Sequence, residues 1–171
     1  MGFGSNLGAV RVQQEFQISA IGFVRNERSA PEDDNWDRVT SDIQLDRSVF
    51  SAEAFIGLDT FSHVEIVFLF DRLLDKQPNI TSRHPRGNDQ WPRVGIFAQR
   101  VANRPNRLGV TICRIHSVSG TTLRVTGLDA IDGTPVLDIK PLISGFQARG
   151  DFREPDWAKQ IMSDYWVAPE P

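Results

Sequence analysis

The sequence is poor in the residues that build disulfide frameworks and metal sites. Its 171 residues include one cysteine, Cys113, and three histidines. A single cysteine excludes an internal disulfide framework and fits a reducing, cytoplasmic location. His116 has no companion at ligand spacing, and we expect no metal site.

Long apolar runs are also missing. No run approaches the ~20 residues that a membrane helix needs, and no signal-peptide pattern opens the sequence. We therefore expect no contact with a membrane. A net charge of −3 argues against a general binder of polyanions, so any contact with nucleic acid must be local.

The sequence also lacks the glycine-rich motif that binds dinucleotides between a strand and a helix. Gly2, Gly4 and Gly8 stand in the opening residues, where no strand precedes them. A doubly wound nucleotide-binding fold is therefore not expected. A nucleotide cofactor would have to bind among the loops of another fold.

What the sequence contains instead is a series of short apolar segments separated by turn residues. The segment VEIVFLF at 64–70 is nearly all apolar and predicts a central strand covered on both faces. Ser119 and Gly120 predict a two-residue turn between two strands. The predicted strands cover residues 16–25, 43–45, 64–70, 94–98, 110–115, 123–125 and 136–140. This series predicts a mainly β fold, a barrel or a sandwich.

Helices are predicted to be few. Ser51 can cap a short helix over residues 52–58. A C-terminal helix is predicted over residues 154–166, where Trp157, Ile161 and Tyr165 follow helical spacing. We assign this stripe to core or dimer packing.

The chain is long enough for one hydrophobic core, since 40% of its residues are hydrophobic. We divide it into a flexible N-terminal tail over 1–15, a β domain over 16–145 and a C-terminal helical extension over 146–171.

Residues 83–107 carry a concentration of positive charge. They hold six of the 19 basic residues but only one of the 22 acidic residues, Asp89. Arginine presents a planar fork of donors that pairs with carboxylate or phosphate at two points. A solvated basic loop and an anion-binding loop both fit this composition. The six arginines are Arg83, Arg86, Arg93, Arg100, Arg104 and Arg107.

Residues 127–141 form a second informative segment. The sequence DGTP at 132–135 has the chemistry of a tight turn. Residues 136–140 then alternate like a strand and place Asp138 and Lys140 on one face. A turn with free backbone donors, followed by paired charges, could hold a small polar ligand. An ordinary hairpin has the same pattern, so both interpretations stay open.

Six segments of the chain resemble the sequence motifs of a known protein family. They are IGFVR at 21–25, GLDTFSH at 57–63, HPRGN at 84–88, VGIFAQR at 94–100, NRPNRLG at 103–109 and DGTPVLDIKP at 132–141. In this order, over residues 18–142, the sequence resembles the TrmO family (YaeB-, VirR- or TsaA-like) of S-adenosylmethionine-dependent methyltransferases. The resemblance implies a small single-sheet β-barrel with short flanking helices, usually dimeric. It also implies methylation of N6 of threonylcarbamoyl-adenosine beside the anticodon of tRNA.

The resemblance further implies where the cofactor S-adenosylmethionine would bind. Its methionine end carries a carboxylate, for which Arg100 or Arg104 is a natural bidentate partner. Its sulfonium is cationic and tolerates a nearby acid such as Asp71 or Asp132. The cofactor residues carried over from the family are Asp34, Asn35, Trp36, Asp71, Arg72, Arg100, Leu108, Val110, Asp132, Gly133, Thr134, Pro135 and Val136.

A proton must leave adenine N6 during such a methylation. Asp132, Asp71 and Asp138 are candidates for accepting it, and the sequence does not rank them. The expected substrate-binding residues are His84, Arg86, Trp91, Arg104, Asn106, Arg107 and Lys140. Trp36 and Trp91 stand in polar loops, where each could either pack in the protein or stack on a base or on the cofactor adenine.

The chain departs from the family pattern on the acceptor side. The early loop, usually Pro-Arg-Gln, is EDDNW at 32–36, and the usual His after the long strand is Asp71. Two alternatives to tRNA methylation therefore stay open. One is the same chemistry on a small molecule or a peptide, and the other is a non-catalytic nucleoside- or RNA-binding module.

Overall fold

Eight strands organise the molecule in the computed structural model, which describes residues 14–166. The strands are β1 (Gly22–Arg25), β2 (Thr40–Leu45), β3 (His63–Leu69), β4 (Ser82–Arg83), β5 (Val94–Gly95), β6 (Leu108–Ser119), β7 (Thr122–Thr126) and β8 (Pro135–Pro141). Six of them form a closed antiparallel barrel in the order β1-β2-β7-β6-β3-β8. The predicted mainly β fold, a small barrel, is confirmed.

The barrel closes where its first strand meets its last. This seam is short, since Gly22 pairs with Val136 and Phe23 pairs with Pro135. By contrast, β3 pairs with β6 from His63 to Leu69 along its whole length. Closure leaves the six-stranded sheet without an open edge.

The side chains of alternate residues fill the barrel interior. In β3, Val64, Ile66 and Phe68 are fully buried, whereas the residues between them are half-buried. The prediction that this strand is covered on both faces is therefore wrong, because its outer face belongs to the surface of a closed barrel. The buried core also includes Val24, Ile43, Leu45, Phe55, Cys113, Leu123, Val125, Leu128, Ala130 and Val136.

The predicted hairpin between β6 and β7 is present. Ser119 pairs with Thr122 across a two-residue turn, and Gly120 in that turn has a φ of 58°. A positive φ is the conformation that such short turns require and that glycine adopts without strain.

Two predicted strands are shorter than expected. Of residues 16–25 only Gly22–Arg25 pairs in the sheet, and Phe16 and Ile18 are exposed. Of residues 94–98 only Val94–Gly95 is a strand, which pairs with β4 in a separate two-stranded sheet. A 3₁₀ helix, Ile96–Ala98, follows, because the partner strand β4 is only two residues long and offers no further pairing.

The helices are short, as predicted. Residues 52–58 form two 3₁₀ segments rather than one helix, because Gly57 between them has a φ of 82°. The Ser51 hydroxyl oxygen accepts the backbone N–H of Glu53 at 3.3 Å, which is the predicted cap. The 3₁₀ helices are Trp36–Arg38, Ala52–Phe55, Leu58–Thr60, Asp71–Leu73, Pro85–Gly87, Ile96–Ala98 and Ser144–Phe146.

The predicted C-terminal helix is present but short. It is α1, Asp156–Ile161, and turns continue from it to residue 166. Tyr165 therefore lies outside the helix, and the predicted helical stripe of Trp157, Ile161 and Tyr165 is wrong.

The predicted domain bounds at 15 and 145 remain predictions. Most of the predicted tail over 1–15, and residues 167–171 of the predicted extension, lie outside the described residues. None of the helices between residues 14 and 166 has the length and apolar character needed to cross a membrane.

Candidate active site at one end of the barrel

One end of the barrel collects most of the predicted site residues. At this end, here called the upper end, β1 and β3 finish while β6 and β8 begin, as the pairing of Leu69 with Leu108 and of Phe68 with Val136 shows. The loops after β1 and β3, and those before β6 and β8, therefore meet there.

A cavity of about 340 Å³ opens at the upper end, and we call it the upper cavity. It combines two cations, Arg100 and Arg104, with one anion, Asp129, and with apolar side chains. Its walls are formed by Phe70, Phe97, Arg100, Arg104, Pro105, Asn106, Leu108, Gly109, Val110 and Asp129. Five of these ten residues, Arg100, Arg104, Asn106, Leu108 and Val110, are predicted site residues.

Both arginines of the cavity are held by backbone carbonyls. Arg100 donates from Nη2 to the carbonyl of Val110, and Arg104 donates from Nη1 to the carbonyl of Gln99 at 3.3 Å. A guanidinium has five N–H donors, so each side chain keeps donors for a ligand. The predicted anchoring of a carboxylate by either arginine is compatible with this arrangement.

Asp129 is a cavity residue that the sequence interpretation missed. Thr111 donates its hydroxyl proton to one carboxylate oxygen, and the Tyr165 hydroxyl donates to the other at 2.5 Å. Burial, together with the charge of Asp129, raises the pKa of Tyr165 far above its ordinary value. An acid between the apolar Leu128 and Ala130 was the available signal for Asp129.

The turn at 132–135 is present, and Gly133 has the positive φ of 82° that such a turn requires. Its backbone donors, however, are not free. The N–H groups of Asp132, Gly133 and Thr134 donate to the carbonyls of Arg28 at 2.8 Å, Val24 at 2.9 Å and Ile131 at 3.1 Å. The predicted free donors are therefore wrong, because the turn is bonded to β1 and to the chain that follows it.

The carboxylate of Asp132 remains partly available. One of its oxygens accepts the backbone N–H of Asn26 at 3.2 Å and lies 4.0 Å from Arg25 Nη1. Its side chain is 41% exposed. Thr134 and Val136 are buried, so their side chains support the turn from inside the barrel.

The acidic early loop and the basic segment meet within one chain. Arg86 forms a two-point ion pair with Asp34, at 2.6 Å from Nη2 and 3.3 Å from Nη1. Asn35 and Arg86 have positive φ values of 63° and 49°, which non-glycine residues seldom adopt. Both unusual conformations therefore lie at the contact between the two loops, because Asn35 follows Asp34 in the chain.

Trp36 packs inside the protein. Its side chain is 4% exposed, and the Arg28 guanidinium covers its ring at 4.2 Å from the ring centre. Such a ring offers no free face to a base or a cofactor, so the packing alternative describes Trp36.

His84 and Trp91 lie together beside the C-terminal segment. His84 Nδ1 donates to the Trp91 carbonyl at 2.7 Å, and Trp91 Nε1 donates to Gln160 Oε1 at 2.6 Å. Trp91 is half-buried, so part of the residue stays accessible.

Asp71 and Arg72 directly follow Phe70 of the cavity wall. Arg72 donates to the carbonyl of Ser29 at 2.8 Å and so ties this turn to the loop after β1. Arg107 has a φ of 52°, and its guanidinium donates to the carbonyl of Lys76.

Asp138 and Lys140 are not brought to the upper end. They pair with each other in the second half of β8, and Asp138 lines a second, mostly apolar cavity of about 600 Å³ at the opposite end of the barrel. The structure thus separates Asp138 from Asp71 and Asp132. Among residues 14–166 no three His, Cys, Asp or Glu side chains converge as metal ligands would.

Comparison with known proteins identifies relatives of this chain. The protein RcsF of Pseudomonas aeruginosa, named as a candidate S-adenosylmethionine-dependent methyltransferase, is 41% identical over 103 residues, 59% of this chain and 43% of that protein. The tRNA (adenine(37)-N6)-methyltransferase of Escherichia coli is 39% identical over 98 residues, 54% of this chain and 40% of that protein. The chain thus spans less than half the length of these two relatives.

A solved structure has the same fold. The crystal structure of TrmO from Pseudomonas aeruginosa superposes with a TM-score of 0.66 at 28% sequence identity, covering 84% of this chain and 62% of that one. The sequence profile of the tRNA-methyltransferase O N-terminal domain matches residues 23–148, which include the barrel except for Gly22, the first residue of β1. The chain therefore belongs to the family of tRNA-methyltransferase O N-terminal domains.

Proposed function

We propose that this chain is an S-adenosylmethionine-dependent methyltransferase that acts on N6 of an adenosine in tRNA, with threonylcarbamoyl-adenosine as the acceptor. The observation that carries the proposal is the upper cavity, where Arg100 and Arg104 stand with Asp129 among apolar walls. The name of the Escherichia coli relative supports the choice of reaction and substrate.

The residues of the upper cavity fit the proposed cofactor. A volume of about 340 Å³ lies within the range of roughly 300–1,000 Å³ that is usual for small-molecule sites. Arg100 can bind the carboxylate of the methionine end, and Asp129 can face its ammonium or sulfonium group. Phe70, Leu108 and other apolar side chains suit the flat adenine ring.

The chain's own residues would position the reactants and accept a proton. S-adenosylmethionine supplies an electrophilic methyl group when it is bound. Holding the acceptor nitrogen in line can contribute ~7–11 kcal/mol in the best cases. Asp71 and Asp132, both at the upper end, are the proposed acceptors for the proton that N6 loses.

The basic segment would contact the RNA. Phosphate contacts by arginine and lysine supply most of the sequence-independent affinity for nucleic acid. Arg104 and Asn106 line the cavity, and Arg107 stands next to them in the chain. Arg86, already paired with Asp34, would support the surface rather than bind phosphate.

We also propose a homodimer in the cytoplasm. Phe97 lines the upper cavity and yet is 80% exposed, and a second subunit would cover it. Sedimentation at twice the 19.2 kDa of one chain is the expected result.

The test is transfer of label from radioactive S-adenosylmethionine into tRNA from cells that lack this gene, followed by mass analysis of the nucleosides. We expect label in N6-methylated threonylcarbamoyl-adenosine. Cofactor binding without transfer to tRNA would instead favour a small-molecule or peptide acceptor. RNA binding of equal strength with and without cofactor would favour a non-catalytic module.

A variant pair tests the cofactor site. Arg100→Ala should weaken cofactor binding by about 1.5–3 kcal/mol, as the loss of a charge-assisted hydrogen bond would. Arg93→Ala is the matched control, because Arg93 lies in the same basic segment but bonds to Ser82 and does not line the cavity. Equal affinity of the two variants in calorimetry would rule out this role of Arg100.

A further inference from the structure

The C-terminal segment crosses the upper end of the barrel, and we call residues 155–166 the strap. The carbonyls of Asp164 and Tyr165 accept the backbone N–H groups of Asn35 at 3.1 Å and Trp36 at 3.0 Å. Gln160 of the strap accepts the indole N–H of Trp91 at 2.6 Å. The strap therefore bonds to the early loop at Asn35 and Trp36 and to the basic segment at Trp91.

Tyr165 extends from the strap to the cavity wall. Its hydroxyl donates to Asp129 at 2.5 Å, and the Arg86 guanidinium lies 6.0 Å from the centre of its ring. The side chain is half-buried. A residue 36 positions away in the chain thus completes the hydrogen bonds of a cavity carboxylate.

We propose that Tyr165 is a positioning residue of the upper cavity, whose hydroxyl fixes the orientation of the Asp129 carboxylate toward the bound cofactor. The inference rests on the proposed function, since it assigns to the strap a part in binding S-adenosylmethionine. The strap then belongs to the site and is more than a packing element.

Two hydroxyl donors, those of Thr111 and Tyr165, hold the Asp129 carboxylate in one orientation. Thr111 bonds to Oδ1 and Tyr165 bonds to Oδ2, so the carboxylate cannot rotate without breaking a hydrogen bond. A carboxylate fixed near Arg100 presents opposite charges to the ammonium and carboxylate of an amino-acid group. Preorganisation of this kind raises affinity because less side-chain entropy is lost on binding.

The first test is calorimetric titration with S-adenosylhomocysteine, the demethylated cofactor, on the full chain. Tyr165→Phe should bind it roughly tenfold more weakly than the wild type, because Asp129 loses a hydrogen bond to a charged group. Ser163→Ala should stay within about twofold, since among residues 14–166 the Ser163 hydroxyl bonds only within the strap, to Gln160 and Asp164. Unchanged affinity in Tyr165→Phe, with thermal melting lowered or not, would overturn the proposal.

A second test is a double-mutant cycle with the same titration. Tyr165→Phe should weaken binding of S-adenosylhomocysteine in the wild-type chain but should cause no further loss in Asp129→Asn, because the Tyr165 hydroxyl acts through the Asp129 carboxylate. Equal losses in the two backgrounds would show that Tyr165 does not act through Asp129, and the proposal would fail.

The two tests separate the inference from the function on which it rests. A wild-type chain that does not bind S-adenosylhomocysteine would contradict the proposed function and with it the cofactor role of Tyr165. Binding by the wild type that is equal in Tyr165→Phe would contradict the inference alone.

Discussion

At the start of β6, Gly109 lies against the ring of Phe68 inside the barrel. The two residues are paired across β3 and β6, and Phe68 is fully buried. A Cβ atom at position 109 would overlap three atoms of the Phe68 ring. Glycine is thus required here by the close approach of a neighbouring side chain.

Gly109→Ala should therefore lower the free energy of unfolding by about 1–3 kcal/mol, as overpacking of a core does. Gly95→Ala is the matched control, because Gly95 has a φ of −63° and no atom within 4 Å of the added Cβ. Urea denaturation measures both. Equal stability of the two variants would show that the Phe68 ring can move.

At the same scale, the sequence predicted some cavity residues and missed others. Arg100, Leu108 and Val110 could be assigned from the family resemblance, because they stand in or beside the segments that carry it. Tyr165 could not, because its role depends on a hydrogen bond to Asp129 across 36 residues. No local pattern encodes such a contact.

Among the elements, β2 and β7 carry a cross-strand ion pair. Asp42 and Arg124 are directly paired, and Arg124 Nε and Nη2 donate to the two carboxylate oxygens at 2.7 and 2.8 Å. These hydrogen bonds lower the pKa of Asp42 below its ordinary value of 3.8. The pair therefore stabilises the folded chain above that pH, and the contribution is lost as the pH falls through the lowered pKa.

Asp42→Asn should consequently lower Tm by about 1–3 °C at pH 7, the size expected for an exposed pair. The difference from the wild type should shrink as the pH falls below 3.8. Asp75→Asn serves as the control, since Asp75 is exposed and forms no ion pair among residues 14–166. A Tm difference that is independent of pH would contradict the assignment.

The strands themselves were largely predictable because a period of two is a local property. The segments at 110–115 and 136–140 lie within observed strands, and the segment at 64–70 extends one residue beyond the end of β3. Residues 94–98 are also mostly apolar but lack a long partner strand, so the chain turns after Gly95. The length of the partner strand decided whether residues 96–98 continue the strand, and composition does not predict that length.

For the whole molecule, the exposed Phe97 beside the upper cavity bears on the proposed dimer. Phe97→Glu should convert a dimer into a monomer, because a charge would be buried at the interface. Val49→Glu, at a similarly exposed apolar residue beyond the other end of β2, should leave the assembly unchanged. Sedimentation velocity measures both, and an unchanged sedimentation coefficient for Phe97→Glu would place the interface elsewhere.

The contacts between segments that are distant in the sequence could not be predicted from it. The ion pair between Asp34 and Arg86 joins loops 52 residues apart, and the strap joins both of them. Each loop could be identified as polar and charged. Their meeting at one end of the barrel follows only from the strand order.

The seam between β1 and β8 has a consequence for synthesis on the ribosome. Because the first and last strands of the barrel close it, no stretch of the chain shorter than β1 to β8 contains the complete six-stranded sheet. A nascent chain that has not yet reached Pro141 has one side of β3, Val64 to Phe68, without the partner that β8 provides. An unpaired apolar strand edge promotes aggregation. It is also the kind of surface that chaperones protect. We therefore expect the barrel to close only after its last strand, β8, has emerged from the ribosome.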